Sequence, residues 1–274
     1  MANCTGCPLQ KDCDNKENCT FVNNPANKVK SVVGIMSGKG GVGKSTVSAL
    51  LAKELNRRGY KVGILDADMT GPSIPRLLHI GAQKIENSEN GINPAISADG
   101  IKVMSLNLLL ENEEQPVIWR GPLLASAVKQ FWQDVNWGEL DYLLVDMPPG
   151  TGDVALTAMQ SIPINGIVMV SVPQDLVSMI VAKAVNMVRK MNISVIGVIE
   201  NMSYIICPNC QEEIRIFADG NDKQFLHEQN LILLGEIPMN TSIAGLSGKK
   251  NEKIDQEIEE KIVVITDSIL DRML

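Results

Sequence analysis

Residues 38–45, Gly-Lys-Gly-Gly-Val-Gly-Lys-Ser, form a glycine-rich loop between two segments of different hydrophobic periodicity. The segment before the loop, Ser31–Met36, is a short apolar run of the kind that forms a buried strand. The segment after it, Lys44–Arg58, carries its apolar residues on one helical face and stops at Gly59. A strand, a G-x-x-x-x-G-K-[ST] loop and a helix in this order are typical of a phosphate-binding loop. The sequence therefore predicts a nucleoside-triphosphate site where the first strand ends.

The residue types of the loop suit nucleotide binding. Glycines allow the backbone to turn several N–H groups toward an anion, and the following helix adds the positive end of its dipole. We expect Lys44 to reach the β- and γ-phosphates of ATP and Ser45 to coordinate Mg²⁺. The expected nucleotide contacts are Gly38, Lys39, Gly40, Gly41, Val42, Gly43, Lys44, Ser45 and Thr46. The alternative, a glycine-rich turn that binds nothing, is disfavoured by the strand and helix around it.

Acidic residues are expected to meet this loop from two other strands. One apolar run ends in Asp66, with Asp68 two positions later, and another ends in Asp146 in the Walker B pattern. Because the carboxyl ends of parallel strands border the ligand crevice, these side chains should face the nucleotide. We expect Asp146 to hold Mg²⁺, Asp66 to brace Mg²⁺ or the loop, and Asp68 to position the attacking water. The alternative for Asp66 and Asp68 is to cap the helix that follows Pro72.

Apolar runs alternate with helix-like stretches through the rest of residues 28–274. The runs are Ser31–Met36, Lys61–Asp66, Ile101–Leu106, Asp141–Asp146, Gly166–Val172, Ser194–Ile199 and Leu231–Gly235. Nearly continuous apolar strands separated by helices indicate a parallel sheet covered on both faces. The predicted fold is therefore an α/β domain with a doubly wound, mostly parallel sheet. Isoleucines spaced along the C-terminal residues predict an amphipathic helix that docks onto this domain.

Composition narrows the possible partners and the compartment. The 274 residues are 45% hydrophobic and 21% charged, which excludes a fully disordered chain. A net charge of −7 without a long basic run argues against nucleic acid as a partner. No apolar stretch is long enough to span a membrane, and the N-terminus lacks the apolar core of a signal peptide. We therefore expect a cytoplasmic protein with no membrane or nucleic-acid partner.

Six cysteines indicate metal chemistry. They are Cys4, Cys7, Cys13, Cys19, Cys207 and Cys210. In a reducing cytoplasm, clustered thiols bind metals or do redox work more often than they form disulfides. Residues 1–27 have too few apolar side chains for a core, so they are predicted to be a Cys-rich metal-binding extension, with a linker at 23–27. Only Cys4 and Cys7 are close in sequence, which favours a cluster over zinc without excluding zinc.

The second group of cysteines supplies only half of a ligand set. Cys207 and Cys210 form a C-x-x-C pair, whereas a [4Fe–4S] cluster needs four ligands. A symmetric dimer would complete the set with the same pair from a second copy. Half a zinc site and a redox dithiol are the alternatives, and a zinc ribbon is disfavoured because no second C-x-x-C follows. The hairpin-like stretch at 211–217 should present the pair at the surface.

The loop carries a second lysine, Lys39, in the pattern K-G-G-V-G-K-S. In this respect the sequence resembles the deviant Walker A NTPases, which include MinD, ParA, the arsenite-pump ATPase and the nitrogenase iron protein. The resemblance implies that Lys39 crosses a dimer interface to the nucleotide of the partner copy. With Lys44 and Asp68, it would complete the catalytic residues, since a cation supplied in trans stabilises phosphoryl transfer only in the closed dimer. The alternative is a lysine that faces solvent.

Further motifs narrow the resemblance to one branch. They are DADMTGPSIP at 66–75, WRGP at 119–122, DMPPGTGD at 146–153, and ENMS at 200–203 followed by CPNC at 207–210. Together these motifs resemble the Mrp/ApbC/Nbp-type iron–sulfur cluster carriers. The resemblance implies a homodimer that binds ATP, hydrolyses it slowly, bridges a labile [4Fe–4S] cluster and transfers it to apo-proteins. It also implies that Asn201 contacts the adenine base and that Pro238 lies in a loop packed near it.

The N-terminal cysteines match this branch only in part. Cys4, Cys7 and Cys13 follow the C-x2-C-P-x4-C pattern of eukaryotic-type members, which have a further cysteine upstream. Here Cys19 lies downstream and would substitute as the fourth ligand. Two other functions remain open at this point, a MinD/ParA-type positioning or partition switch without a cluster and an electron-transfer protein. The acidic C-terminal helix disfavours the switch, which would favour a basic surface.

Overall fold

The computed structural model describes residues 24–69, 71, 73–81, 85–88, 91–110, 121–173, 175–216, 221–244, 246 and 254–273. Several predicted features lie outside the described residues. They are the metal site of Cys4, Cys7, Cys13 and Cys19, residues 119–120 of the WRGP motif, and Phe217 of the hairpin-like stretch.

The strands correspond closely to the apolar runs of the sequence. In chain order they are β1 (Lys28–Ser37), β2 (Val62–Asp66), β3 (Asn87–Ser88), β4 (Gly91–Ile92), β5 (Ala95–Ile96), β6 (Lys102–Ser105), β7 (Glu139–Asp146), β8 (Gly166–Ser171), β9 (Ser194–Asn201), β10 (Ile205–Ile206), β11 (Glu213–Ile214) and β12 (Leu233–Ile237). All seven predicted runs are strands, with small shifts at their ends. The two-residue strands have no comparable hydrophobic signal.

Eight strands form the central sheet, in the order β12-β9-β8-β1-β7-β2-β6-β5. Every neighbouring pair is parallel except β5, which runs antiparallel to β6 at the edge. This confirms the predicted doubly wound, mostly parallel sheet. Because β7 lies between β1 and β2, Asp146 lies level with Ile35 on one side and with Asp66 on the other.

Helices cover both faces of this sheet. They are α1 (Lys44–Arg57), α2 (Ile74–Leu77), α3 (Gly121–Gln133), α4 (Asp153–Ser161), α5 (Asp175–Lys190), α6 (Asn221–Glu228), α7 (Thr241–Ala244) and α8 (Gln256–Leu270). Side chains of α1, α2 and α8 pack on one face, and those of α3, α4 and α5 pack on the other. Gly59 follows α1 in the left-handed conformation, with φ 88°, as predicted. In the described part of the chain, no helix combines the length and apolar character needed to cross a bilayer.

Alternation along β1 explains how one strand supplies both halves of the core. Val32 and Met36 point to the face covered by α3–α5, whereas Val33 and Ile35 point to the face covered by α1 and α8. The C-terminal helix α8 buries one isoleucine stripe against the second face, which confirms its predicted docking. The phosphate-binding segment is therefore anchored by a strand that is buried on both sides.

Asn27, the residue before β1, fixes the position at which the chain enters the sheet. Asn27 is fully buried, its amide nitrogen donates to the carbonyl oxygen of Val135 at 2.9 Å, and its amide oxygen accepts the N–H of Gly138 at 2.9 Å. Residues 24–27 of the predicted linker thus hold the turn before β7.

Candidate functional site

The glycine-rich loop joins β1 to α1 and packs tightly against its surroundings. Gly41 and Gly43 adopt left-handed conformations, with φ 82° and 79°, which glycine tolerates best. A Cβ at Gly43 would overlap the amide nitrogen of Asn201, and one at Gly38 would lie 2.8 Å from Cγ2 of Ile180. Neighbouring atoms therefore leave room only for glycine at positions 38 and 43, whereas position 41 favours glycine through its backbone conformation alone.

An open cleft of about 240 Å³ lies over the loop at the carboxyl end of the sheet. Its lining consists of Ser37, Gly40, Gly41, Gly43, Lys44, Ser45, Thr46, Asp68, Gly71, Ser73 and Pro149. The residues predicted from three separate motifs thus converge on one concave surface. Gly150 holds the loop after β7 in place because its N–H donates to the carbonyl oxygen of Ser37 at 2.8 Å.

Lys44 and Asp146 form a buried ion pair at the base of the cleft. The ammonium nitrogen of Lys44 lies 2.8 Å from Oδ2 of Asp146, and these side chains are 6% and 0% exposed. Oδ2 also accepts the hydroxyl of Ser45 at 2.6 Å, while Oδ1 accepts the hydroxyl of Ser48 at 2.7 Å. The Asp146 carboxylate is therefore fixed behind the phosphate loop by one charge-assisted contact and two hydroxyl hydrogen bonds.

Ser48 was missed by the sequence reasoning. It lies three residues after Ser45 on α1, so both hydroxyls share one helical face. The three-residue spacing between Ser45 and Ser48 is the sequence signal for Ser48, but it is informative only when Asp146 is known to lie beside the helix.

Asp66 lies behind Asp146 and is fully buried. Its Oδ2 accepts the hydroxyl of Ser105 at 3.1 Å and the N–H of Ile74 at 3.4 Å, and its Oδ1 accepts the N–H of Asp68 at 3.3 Å. Burial raises the pKa of the Asp66 carboxyl well above its ordinary value, and the nearby Asp146 carboxylate raises it further. Asp66 therefore braces the segment after β2 and the first residue of α2, and its contact with Mg²⁺ remains a prediction.

Asp68 and Lys39 lie at the more open side of the site. Oδ2 of Asp68 is 3.9 Å from the Lys44 ammonium, and the Asp68 side chain is 15% exposed in the cleft lining. Lys39 is half-buried, and its carbonyl oxygen accepts the hydroxyl of Ser37 at 2.9 Å. The roles of Asp68 and Lys39 in hydrolysis stay predictions.

Asn201 ends β9 and contacts the phosphate loop directly. Its side chain is 3% exposed, and its amide nitrogen donates to the carbonyl oxygen of Val42 at 2.9 Å. Pro238 is buried just after β12, beside a backbone contact in which the N–H of Ser203 donates to the carbonyl oxygen of Ile237. Asn201, predicted to contact the base, and Pro238, predicted to lie in a loop near it, are therefore at the ends of two paired strands, and Asn201 also braces the phosphate loop.

Cys207 and Cys210 lie in the turn of a small hairpin formed by β10 and β11. The predicted hairpin exists, but it begins before the cysteines, so they occupy its tip. Cys207 is half-buried and Cys210 is exposed, and both thiols are free. The backbone N–H groups of Cys210 and Asn209 lower the pKa of the Cys207 thiol because they donate to its sulfur. The turn therefore presents two sulfur ligands to solvent, with one of them stabilised as a thiolate.

The thiol pair has one acidic neighbour, since the Cys210 sulfur lies 3.8 Å from a carboxylate oxygen of Glu212. Among the described residues, no three His, Cys, Asp or Glu side chains lie together as a metal site would require. Three apolar side chains on or after neighbouring strands are also exposed: Ile214 on β11, Ile216 two residues later and Met239 after β12 are 49%, 56% and 46% exposed. A four-coordinate centre at this turn needs sulfur ligands from elsewhere.

The hairpin is fastened to the main sheet by one arginine. Arg215 donates to both carboxylate oxygens of Glu236 on β12, at 2.6 and 3.0 Å. Its guanidinium also lies 5.2 Å from the ring centre of Tyr204, which is buried beneath it. The cysteine turn is therefore held at the same edge of the sheet as the nucleotide cleft.

Comparison with known proteins gives a consistent family. The family model of the NUBPL iron-transfer P-loop NTPases, within the ParA group, matches residues 28–274. The iron–sulfur cluster carrier protein of Clostridium perfringens is 43% identical over 95% of this chain and 96% of its own length. The protein of the same name from Methanococcus maripaludis is 39% identical over 99% and 96%.

Solved structures agree with the fold. A nucleotide-binding protein of Archaeoglobus fulgidus in complex with ADP is 44% identical, covers 80% of this chain and 86% of its own, and has a TM-score of 0.71. MinD of Pyrococcus horikoshii, complexed with Mg-ADP, covers 87% and 95% with a TM-score of 0.64. At 19% identity, MinD shows similarity of fold alone.

Proposed function

The chain belongs to the family of NUBPL iron-transfer P-loop NTPases, and from that premise we propose that it is an ATP-dependent carrier of iron–sulfur clusters. Its cargo is a [4Fe–4S] cluster held between two copies of the chain and passed to apo-proteins. The observation that carries this proposal is the Cys207–Cys210 pair, one thiol half-buried and the other exposed, at the same end of the sheet as the phosphate loop. Since one chain offers two thiols at this turn, a second copy completes the four ligands.

ATP binds in the cleft over the phosphate loop. Lys44 exchanges its contact with Asp146 for the β- and γ-phosphates, and the loop N–H groups surround the phosphate oxygens. Asp68, 3.9 Å from the Lys44 ammonium, positions the water that attacks the γ-phosphate. Asn201 and Pro238 lie beside the base. The ADP complex of the similar Archaeoglobus fulgidus protein supports the proposal that this chain binds an adenine nucleotide.

Oxygen donors in the cleft fit Mg²⁺, which prefers hard ligands. The hydroxyl of Ser45 and the carboxylate of Asp146 would hold the ion, directly or through water, and Asp66 would brace Asp146 from behind. The ion supplies neutralisation of charge on the β- and γ-phosphates. Hydrolysis of ATP is slow because the nucleotide site of one copy is completed by a cation from the other copy.

Lys39 is that cation. It extends from the phosphate loop to the nucleotide of the partner copy when the dimer closes. Lys39 is half-buried in one copy, and its charge reaches the nucleotide of the partner copy when the two associate. This arrangement would make hydrolysis dependent on the dimer that also holds the cluster.

The exposed apolar side chains of Ile214, Ile216 and Met239 suit a subunit boundary on this part of the surface. Burying these side chains between two copies shields the cluster from water and adds hydrophobic stabilisation to the dimer. With two thiolates from each copy, separation of the copies halves the ligand set. That physical property makes the cluster labile enough for transfer to thiols of a recipient.

The N-terminal cysteines form a second metal site in this proposal. Cys4, Cys7, Cys13 and Cys19 supply four sulfur ligands for a [4Fe–4S] cluster, with zinc as the alternative. Bound metal would order residues 1–27, which lack a hydrophobic core of their own. The protein acts in the cytoplasm, without nucleic-acid or membrane partners.

Named relatives support the carrier over the MinD-type switch. The carrier proteins are 39–43% identical over nearly the whole chain, whereas the MinD similarity is one of fold. The switch also gives no role to the thiol pair at the hairpin tip.

Iron and sulfide content tests the proposal directly. In a background with all four N-terminal cysteines replaced by serine, we expect the anaerobically reconstituted protein to hold about four iron and four sulfide per dimer. Cys207→Ser with Cys210→Ser should abolish both, along with activation of an apo [4Fe–4S] enzyme. Asn209→Ala, which keeps the backbone N–H beside the Cys207 sulfur, is the matched control and should retain the cluster. Undiminished iron in the double serine variant would refute the assignment.

A further inference from the structure

A second cleft lies at the opposite edge of the sheet from the phosphate loop. It surrounds the amino-terminal ends of β2, β6 and β7 and has a volume of about 520 Å³. Its lining consists of Asn56, Gly59, Tyr60, Lys61, Val62, Gly100, Lys102, Glu139 and Leu140. This volume is in the range of small-molecule sites, which favours a small ligand over a macromolecule.

Lys102 is the distinctive group in this cleft. Its half-buried ammonium donates to the carbonyl oxygen of Trp137 at 2.6 Å, and no carboxylate of the described residues lies within ion-pair distance. Burial lowers the pKa of Lys102, and the nearby Lys61 ammonium lowers it further. A cation in this situation lacks counter-charge, which an anion in the cleft would supply.

The turn before β7 fixes the position of the Lys102 ammonium. Gly138 has φ 61°, and a Cβ there would lie 3.2 Å from the Lys102 nitrogen, so glycine makes room for the ammonium. Asn27 bonds to Val135 and to Gly138, which holds this turn rigidly. The ammonium is therefore preorganised at one side of the cleft.

Lys61 provides a second ammonium at the cleft. It lies 3.2 Å from Glu139, but the same carboxylate also lies 3.5 Å from Lys28. One carboxylate thus serves two ammonium groups, and the ion pairs are largely exposed. An incoming anion can recruit Lys61 at small cost because such surface pairs are weak.

We propose that this cleft binds a small anion with a phosphate or carboxylate group, held between the ammonium groups of Lys102 and Lys61. The site is separate from the nucleotide and thiol sites and does not depend on the carrier function. Tyr60, Val62 and Leu140 supply the apolar wall that commonly accompanies a few polar anchors in small-ligand sites.

Two measurements on the full-length, metal-loaded protein test the proposal. The protein is saturated with Mg-ADP so that the nucleotide cleft is filled. Calorimetric titrations with inorganic phosphate, acetate and citrate at constant ionic strength then distinguish phosphate from carboxylate. In parallel, an amine-acetylating reagent modifies lysines, and peptide mass spectrometry follows Lys102 against Lys30, which pairs with Asp141.

Binding of at least one anion should slow acetylation of Lys102 severalfold and leave Lys30 unchanged. Lys102→Met should weaken the anion about tenfold or more, since a charge-assisted hydrogen bond is lost. The matched control Lys30→Met should have no effect, and Glu139→Gln should strengthen binding by releasing Lys61. Absence of binding by all three anions, or equal affinity in Lys102→Met and Lys30→Met, overturns the proposal. If Lys102→Met does not fold, unchanged affinity in Glu139→Gln overturns it as well.

Discussion

Removing the charge of Asp146 should lower the stability of the protein, because the ammonium of Lys44 in the phosphate loop pairs with this carboxylate. Asp146→Asn keeps the size of the side chain but leaves the Lys44 ammonium, 6% exposed, without its partner at 2.8 Å. The hydroxyls of Ser45 and Ser48 also lose the charged carboxylate that accepts their hydrogen bonds. Breaking a buried ion pair by removing one partner costs about 3–5 kcal/mol, so we expect a loss of that size in the free energy of unfolding.

Urea unfolding at pH 7, with EDTA and without nucleotide, measures this loss. Trp132 and Trp137 are fully buried and report unfolding by fluorescence. The control is a double-mutant cycle with Lys44→Met, because that change removes the ammonium that has lost its nearest carboxylate and keeps only Asp68 at 3.9 Å. The double variant should be more stable than the sum of the single losses predicts, by about 1–3 kcal/mol. Additivity within about 0.5 kcal/mol would refute the buried pair as the source of the effect.

Three further predictions concern the loop and the hairpin. Gly43→Ala should abolish ADP binding because the new Cβ overlaps the buried amide at the end of β9, whereas Gly41→Ala, with nothing within 4 Å, should suffer only the left-handed backbone penalty of about 1–2 kcal/mol. In the metal-free protein, iodoacetamide should alkylate Cys207 at pH 7 faster than in the urea-unfolded chain, because its lowered pKa enlarges the thiolate fraction. Arg215→Met should remove about 0.5–1 kcal/mol of stability at pH 7, discounted for exposure, because Arg215 lowers the pKa of Glu236 from 4.5.

The measurements and contrary outcomes differ for each. ADP titration of the two alanine variants is decisive for the loop, and equal affinities would contradict steric overlap at Gly43. For Cys207, peptide mass spectrometry gives the rate, and a native rate at or below the unfolded rate would contradict a stabilised thiolate. The Arg215 contribution is fully present above the ordinary glutamate pKa and is lost as pH falls through the lowered pKa of the folded state. A difference between wild type and Arg215→Met that does not shrink as pH falls from 7 through the acid range would argue against the ion pair.

Local sequence spacing predicted most of the sheet and much of the site. The apolar runs became parallel strands because a strand buried on both faces needs continuous apolar side chains, and the isoleucine spacing of α8 became a docked helix. Asp66 and Asp146 ended neighbouring strands, as their positions after apolar runs indicated. The short antiparallel strand β5 was not predicted, since two residues carry too little pattern.

Contacts between distant residues could not be predicted in this way. Ser48 and Asp146 lie 98 positions apart, and Asn201 and Val42 lie 159 apart, so no local periodicity connects them. They meet because β7 inserts between β1 and β2, and β8 and β9 extend the sheet on the other side. Strand order is decided by the packing of the whole domain.

The sequence alone predicted the phosphate loop, the parallel sheet and a pair of thiols that supplies only two of the four ligands of a cluster. Each depends on spacing within one segment, where backbone geometry converts residue periodicity into shape. Only the tertiary structure decided that Asn201 braces the phosphate loop, that Arg215 ties the thiol turn to β12, and that Lys102 is half-buried with no carboxylate of the described residues within ion-pair distance. Those facts depend on which segments the sheet brings together, and on the exclusion of water that burial then imposes on their charges.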